Sequence, residues 1–149
     1  MKLAFGCDHG GYDYKVKLIN YLQNKGYDIV DCGCNSLDSC DYPDFALPVA
    51  ELVKDKAVDF GILICSTGIG ISIAANKVPG VRCSHCHDVE SARLTRNHND
   101  SNILAFGAKI ISEELMYQIV DAYLSAGFDG GRHQRRVDKI SAIEEKYNK

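Results

Sequence analysis

No hydrophobic run in this 149-residue chain approaches the length of a membrane span, so a bilayer-crossing role is not expected. An excess of positive charge is also missing. The net charge is -3, and basic residues cluster only locally, at Arg132, Arg135 and Arg136, which suits a small anion better than nucleic acid. Met1-Lys2 leads straight into Leu3-Ala4-Phe5, an apolar run too short for the core of a secretory leader. Internal repeats, low-complexity tracts and long linkers are absent, so a single domain over 1–149 is expected. The seven cysteines are odd in number and lack an extracellular context, which favours a reduced, cytoplasmic chain over a disulfide framework.

What is present is ordinary globular material, 46% apolar and 25% charged. Short apolar runs alternate with helix-length amphipathic segments. Strands are predicted over Lys2–Cys7, Tyr27–Cys32, Phe60–Cys65, Val81–Cys86 and Ile103–Phe106. Helices are predicted over Tyr12–Lys25, with Val16, Ile19 and Leu22 or Leu18 on the apolar face, over Phe45–Lys56, from the glycine-rich turn to about Lys77, and over Val89–Asn97. Ser112 is placed to cap a further helix, and Gly127–Gly131 breaks the chain before an extra C-terminal helix over Arg132–Lys146. Repeated strand–helix pairs demand crossovers, hence a parallel sheet covered on both faces. The expectation is a doubly wound, Rossmann-like, three-layer α/β sandwich with five parallel strands in the common order 2-1-3-4-5. In such a sheet ligands bind beyond the strand ends where the order reverses, between the loops leaving strands one and three.

Those two loops carry the most chemistry. Cys65-Ser66-Thr67-Gly68-Ile69-Gly70-Ile71-Ser72 follows a buried strand and opens a helix, so its amides can meet an anion and activate Cys65. The alternative is a tight turn around an inert buried cysteine. A Walker loop is excluded by the lack of a closing Gly-Lys-Ser/Thr. A cysteine phosphatase would want an Arg where Ile71 stands. Asp8-His9-Gly10-Gly11 offers a carboxylate and an imidazole, or merely a helix cap. His98, in the polar run Asn97–Asn102, carries an imidazole able to move protons, unless it is a plain surface histidine. Arg132 and Arg136 stand four apart on one helical face, the spacing of a phosphate clamp or of a solvated basic face. Cys83-Ser84-His85-Cys86-His87-Asp88 looks metal-binding at first sight. Strand alternation would send Cys83 and Cys86 to opposite faces, and no second ligand pair at zinc spacing follows, so no metal site is expected there. Cys32, Cys34 and Cys40 read as incidental loop thiols.

Five motifs together, Gly6-Cys7-Asp8-His9-Gly10-Gly11, Asp41-Tyr42-Pro43-Asp44, Cys65–Ser72 with Ala74-Ala75-Asn76-Lys77, Arg96-Asn97-His98-Asn99-Asp100 and Gly130-Gly131-Arg132-His133, resemble in order those of type B ribose-5-phosphate isomerase, within the wider ribose, galactose and allose sugar-phosphate isomerase family. The match runs from about residue 2 to 145. The resemblance implies cofactor-free and metal-free interconversion of ribose 5-phosphate and ribulose 5-phosphate through an enediolate. It makes Cys65 the base, with Thr67 and the amides of Ser66, Gly68, Ile69 and Gly70 around the enediolate oxygen, and His98 the ring-opening acid/base. Asp8, Tyr42 and Asn99 would contact the sugar, and His9, Arg132 and Arg136 the phosphate. It also implies a homodimer with shared active sites; further pairing into a tetramer stays open. Ser66 stands where Gly is frequent, and Lys109, among the candidate substrate contacts, where many members carry Arg. Residues 84–87 are more polar than usual, and Ile71 stands where one branch places a Glu base. A six-carbon sugar phosphate is the rival substrate. A flavodoxin-like binding module is the rival class, disfavoured by the paired Arg132 and Arg136.

Overall fold

The structure, a computed structural model, describes residues 1–148. Five parallel strands, β1 (Lys2–Cys7), β2 (Asp28–Asp31), β3 (Phe60–Cys65), β4 (Cys83–His85) and β5 (Ile103–Gly107), alternate with helices. The helices are α1 (Tyr12–Asn24), α2 (Pro43–Lys54), α3 (Ile69–Ala75), α4 (Val89–Asn99), α5 (Glu113–Ser125) and α6 (Arg132–Tyr147). The expected doubly wound sandwich is therefore present, extra C-terminal helix included.

Its strand order is 2-1-3-5-4, with the last two strands exchanged relative to the expected 2-1-3-4-5. Crossover handedness gives the reason. Core residues of α1, α4 and α5 (Leu18, Ala92, Met116) line one face of the sheet, while those of α2 and α3 (Val49, Ile71) line the other. A right-handed crossover with its helix on the α1 face moves in the same direction as β1 to β2. The α4 connection therefore returns toward the sheet centre, and β5 slots between β3 and β4. Periodicity in the sequence marks α4 as amphipathic but does not say which face it covers. The reversal between β1 and β3 is unaffected, so the crevice stays where it was expected.

β1, β3 and β5 are buried almost throughout, as strands covered on both faces must be. Each fully buried Leu or Ile among them contributes roughly 1.5–3 kcal/mol by leaving water. The edge strands β2 and β4 are shorter than the runs Tyr27–Cys32 and Val81–Cys86 suggested. Cys83 packs on the α2/α3 side and Cys86 on the other, so the alternation expected of them holds.

Two side chains depart from their expected places. Val16 faces solvent, and the buried face of α1 is Lys15, Leu18 and Leu22. Cys34 is not a loose loop thiol: it lies in the core with its sulfur 3.9 Å from that of Cys7. Lys15 is only 1% exposed, yet its charge is matched, since Nζ lies 2.7 Å from Asp31 Oδ1 and donates to the Cys34 carbonyl at 2.6 Å. Apolar periodicity has no means of announcing a lysine in that slot. The substitution Lys15→Met keeps most of the stem's volume but leaves the Cys34 carbonyl without its donor. Urea denaturation should report a loss of about 1–3 kcal/mol, the cost of an unsatisfied buried acceptor. An unchanged midpoint would mean that the pair contributes nothing to stability.

Candidate active site

The central strands end level with one another: Cys7 is in register with Ile64, and Cys65 with Gly107. The loops leaving β1 and β3 are thereby forced into contact. Asp8 is buried, and its Oδ1 accepts from the amides of Gly10 at 2.9 Å and Gly11 at 3.2 Å, so the cap reading of this residue is realised. A Cβ on Gly10 would meet Ser66 Oγ at 2.3 Å, which shows how tightly the two loops lie together. His9 accepts the Cys40 amide on Nδ1 at 3.2 Å; a neutral ring at this position carries its proton on Nε2.

The Cys65 loop then folds over the end of β5. Ala108 and Lys109 donate their amides to the carbonyls of Cys65 and Ser66 at 2.9 and 3.0 Å. At the crossing, backbone lies on backbone. Gly68 sits at φ +78°, and a Cβ there would come within 2.5 Å of the Phe106 carbonyl carbon. One on Gly107 would come within 2.5 Å of the Thr67 carbonyl carbon. Neither position has room for a side chain. Within the loop, the Gly68 amide donates to Cys65 Sγ at 3.1 Å and the Ile69 amide to Thr67 Oγ1 at 3.2 Å. The sulfur is thus held beneath the loop rather than left free to rotate. Helix α3 starts at Ile69 and ends at Ala75, short of the expected Lys77, so the loop amides rather than a long helix supply the local polarity. Tyr42, at the N-terminus of α2, lies over the same loop: a Cβ on Gly70 would meet its Cζ at 2.5 Å.

Burial pushes the Cys86 thiol up to about 11 and also raises those of Cys7 and Cys83, so these remain protonated. Cys65, itself only 4% exposed, is the cysteine whose sulfur meets a loop amide at the crevice.

His98, Asn99, Arg132 and Arg136 form a second group. Helix α4 continues two residues beyond the expected Asn97 and stops where Asp100 turns left-handed at φ 46°. Arg96 fixes that turn from below. Its guanidinium donates to Asp100 Oδ1 at 3.0 Å and to the Ser101 carbonyl at 2.6 Å, and lies 4.6 Å over the Phe60 ring. His98 stacks on His133 with centroids 4.3 Å apart and planes 10° from parallel. The Asp129 amide donates to the Asn97 carbonyl at 3.0 Å, tying the start of α6 to α4. Among the described residues, no hydrogen bond or ion pair joins this group to the Cys65 loop of the same chain.

Donor atoms of His98, Asp129 and His133 lie within 4.8 Å of one another. Stacked rings carry parallel lone pairs, which do not converge on a metal ion. Desolvation, then the neighbouring His98, Arg132 and Arg136, hold His133 below its ordinary pKa, and the arginine charge opposes a cation.

One cluster had no assigned use in the sequence. His85 Nε2 lies 2.9 Å from the Thr67 carbonyl and 3.2 Å from His87 Nε2, and the Gly107 amide donates to His87 Nε2 at 3.0 Å. The signal was partial: residues two apart in extended chain share a face, but β4 ends at His85 and the expected strand ended at Cys86, short of His87. It was masked because nothing local says which loop that face meets.

The Ribose/Galactose Isomerase family model matches residues 3–140. Ribose-5-phosphate isomerase B of Escherichia coli is 50% identical over 147 residues, covering 99% of each chain. The solved structure of Clostridium thermocellum ribose-5-phosphate isomerase B superposes with a TM-score of 0.98 at 51% identity, covering 99% of this chain and 100% of that one. Mycoplasma genitalium ribose-5-phosphate isomerase B, solved with bound ribulose-5-phosphate, gives 0.92 at 40% identity, over 97% of this chain and 96% of that one. With the crevice loops, the paired arginines and likeness along nearly the whole length, the chain belongs to the Ribose/Galactose Isomerase family.

Proposed function

We propose that the protein interconverts ribose 5-phosphate and ribulose 5-phosphate, working as one isomerase domain with Cys65 as the base. The observation that carries this reading is the placement of Cys65 Sγ at the β1/β3 crevice, oriented by the Gly68 amide at 3.1 Å. A sugar carbon above that sulfur would lie against the amides and hydroxyl of the following loop.

His98 moves the proton that opens the furanose ring. Cys65, as the thiolate, takes the proton from C2 of the open aldose, and the C2–H electron pair becomes the enediolate double bond while negative charge grows on O1. Thr67 and the amides of Ser66, Ile69 and Gly70 stabilise that charge, which is largest in the transition state; the Gly68 amide, expected among them, is engaged by the Cys65 sulfur instead. The Cys65 thiol then returns its proton to C1, and the O2 proton passes to O1 as the ketone forms at C2, so that O1 becomes the hydroxyl of the product. Asp8, Tyr42 and Asn99 hold the sugar hydroxyls. His9, Arg132 and Arg136 hold the phosphate, with Lys109 near the loop as a further cation.

The arrangement is completed by a second copy of the chain. Support comes from the separation of the two groups within one chain and from the exposed apolar side chains of α6, Ile140 and Ile143, and of α3, Ile69 and Ile73. An isologous dimer brings the His98 and arginine group of one subunit to the Cys65 loop of the other.

A coupled assay on ribose 5-phosphate, beside allose and galactose 6-phosphates, should show the pentose turned over fastest. Cys65→Ala should lower kcat by at least tenfold while leaving KM near wild type, because a base acts mainly in the transition state. Retention of more than about a tenth of kcat would remove Cys65 from that role.

Arg136→Ala should raise KM, and removal of Arg132 as well should raise it further, each charge-assisted contact being worth roughly 1.5–3 kcal/mol. An unmoved KM in both variants would make the arginine face a merely solvated one.

Mixing inactive Cys65→Ala with inactive His98→Ala under subunit exchange tests the shared site. Each heterodimer contains one intact and one doubly altered site, so with half the dimers mixed roughly a quarter of sites should recover. If mass spectrometry confirms exchange and no activity returns, both residues serve the same subunit's site.

A further inference from the structure

Four backbone and side-chain groups stand in succession within hydrogen-bonding distance beside the Cys65 loop. The amide of Gly107 points at His87 Nε2, so that nitrogen is the acceptor and the ring carries its proton on Nδ1. The carbonyl of Thr67 can only accept, so His85 Nε2 is the donor, and its single N–H faces Thr67 O at 2.9 Å and His87 Nε2 at 3.2 Å. The two contacts assign both tautomers without contradiction. The rings meet edge to face, with planes 80° apart; the His85 N–H has its nearer acceptor in the Thr67 carbonyl and makes only a longer, shared contact with His87 Nε2, whose lone pair also takes the Gly107 amide. Burial and the neighbouring His85 hold the His87 pKa below its ordinary value, against a smaller opposing pull from Asp88, which favours the neutral ring this chain requires.

Beyond Thr67 the chain continues through one peptide plane. In a trans peptide the C=O and the next N–H point in opposite directions. The Thr67–Gly68 peptide has its carbonyl on His85 and its N–H on Cys65 Sγ at 3.1 Å. Gly68, at φ +78°, is the residue type at which such a plane rotates most freely, so its orientation needs an external hold. His85 provides one from the edge strand, reaching over Gly107, where a side chain would block the approach.

We propose that His85, steered by His87, is a positioning residue that fixes the Thr67–Gly68 peptide so that its N–H stays aimed at the Cys65 sulfur. The consequence for catalysis rests on Cys65 being the base; the orientation of the peptide does not. Nitrogen-15 NMR on the intact protein should find His85 protonated at Nε2 and His87 at Nδ1. His85→Ala should shift the Gly68 amide resonance and lower kcat for ribose 5-phosphate about three- to tenfold, the scale of one hydrogen bond, with KM nearly unchanged. His85→Gln, whose side-chain amide reaches the same point and donates, should restore both the resonance and kcat, whereas His85→Leu should not. As His85 is exposed, thermal stability should hold in all three variants.

The proposal is overturned if His87 proves to be protonated at Nε2, if the Gly68 resonance ignores His85→Ala, or if Gln and Leu behave alike. Should the wild-type protein fail to turn over ribose 5-phosphate, the functional reading fails, while the tautomers and the Gly68 resonance still decide this one.

Discussion

The functional end of this molecule depends on one close approach of backbone to backbone. Thr67 and Gly68 lie directly on Phe106 and Gly107, with no side chain between them. That contact exists because β5 sits beside β3, and the amides of Ala108 and Lys109 are then free to bind the carbonyls of Cys65 and Ser66. With the loop pinned there, the Gly68 amide meets the Cys65 sulfur, and Tyr42 finds a flat glycine surface to cover at Gly70. The order of strands is thus part of the chemistry and not only of the architecture.

Much of this was legible in the sequence, and the reasons differ by element. The alternation of apolar runs with amphipathic segments announced a covered parallel sheet, since no other arrangement buries both. The reversal between β1 and β3 followed, and with it the pairing of the Asp8 and Cys65 loops. The exchange of β4 and β5 did not follow, because it turns on which face α4 covers, a long-range choice made by Ala92 and its partners. The buried Lys15 was missed because its counter-charge, Asp31, and its carbonyl partner at Cys34 lie on other segments. The end expected for α4 at Asn97 fell short because a helix ending in Arg, His and Asn looks like a polar connection until Arg96 is seen gripping Asp100.

The candidate site shows the same division. Residue types suited to the chemistry were visible at Asp8, Cys65, His98, Arg132 and Arg136, since carboxylate, thiol, imidazole and guanidinium are the groups that move protons or hold polar ligands. Their grouping was not. The chain holds them as two sets, one around the sheet ends and one at the junction of α4 and α6, each with its own internal fastening. The sequence lists both sets in a single line of motifs, and only the family resemblance, which implied sites shared between subunits, hinted at the gap between them.

The sheet's margins have a consequence of a different kind. β2 has four residues and β4 three, and both carry polar or charged groups: Asp28 and Asp31 on one, Ser84 and His85 on the other. A long, flat, apolar edge invites a second sheet to add to it, and intermolecular β-pairing of that sort begins many aggregates. Here the long apolar strands are all interior, and the margins stop after about two pleats at β2 and one and a half at β4. The chain can therefore be crowded at high concentration with little template for edge-to-edge growth, and association is left to its helical surfaces.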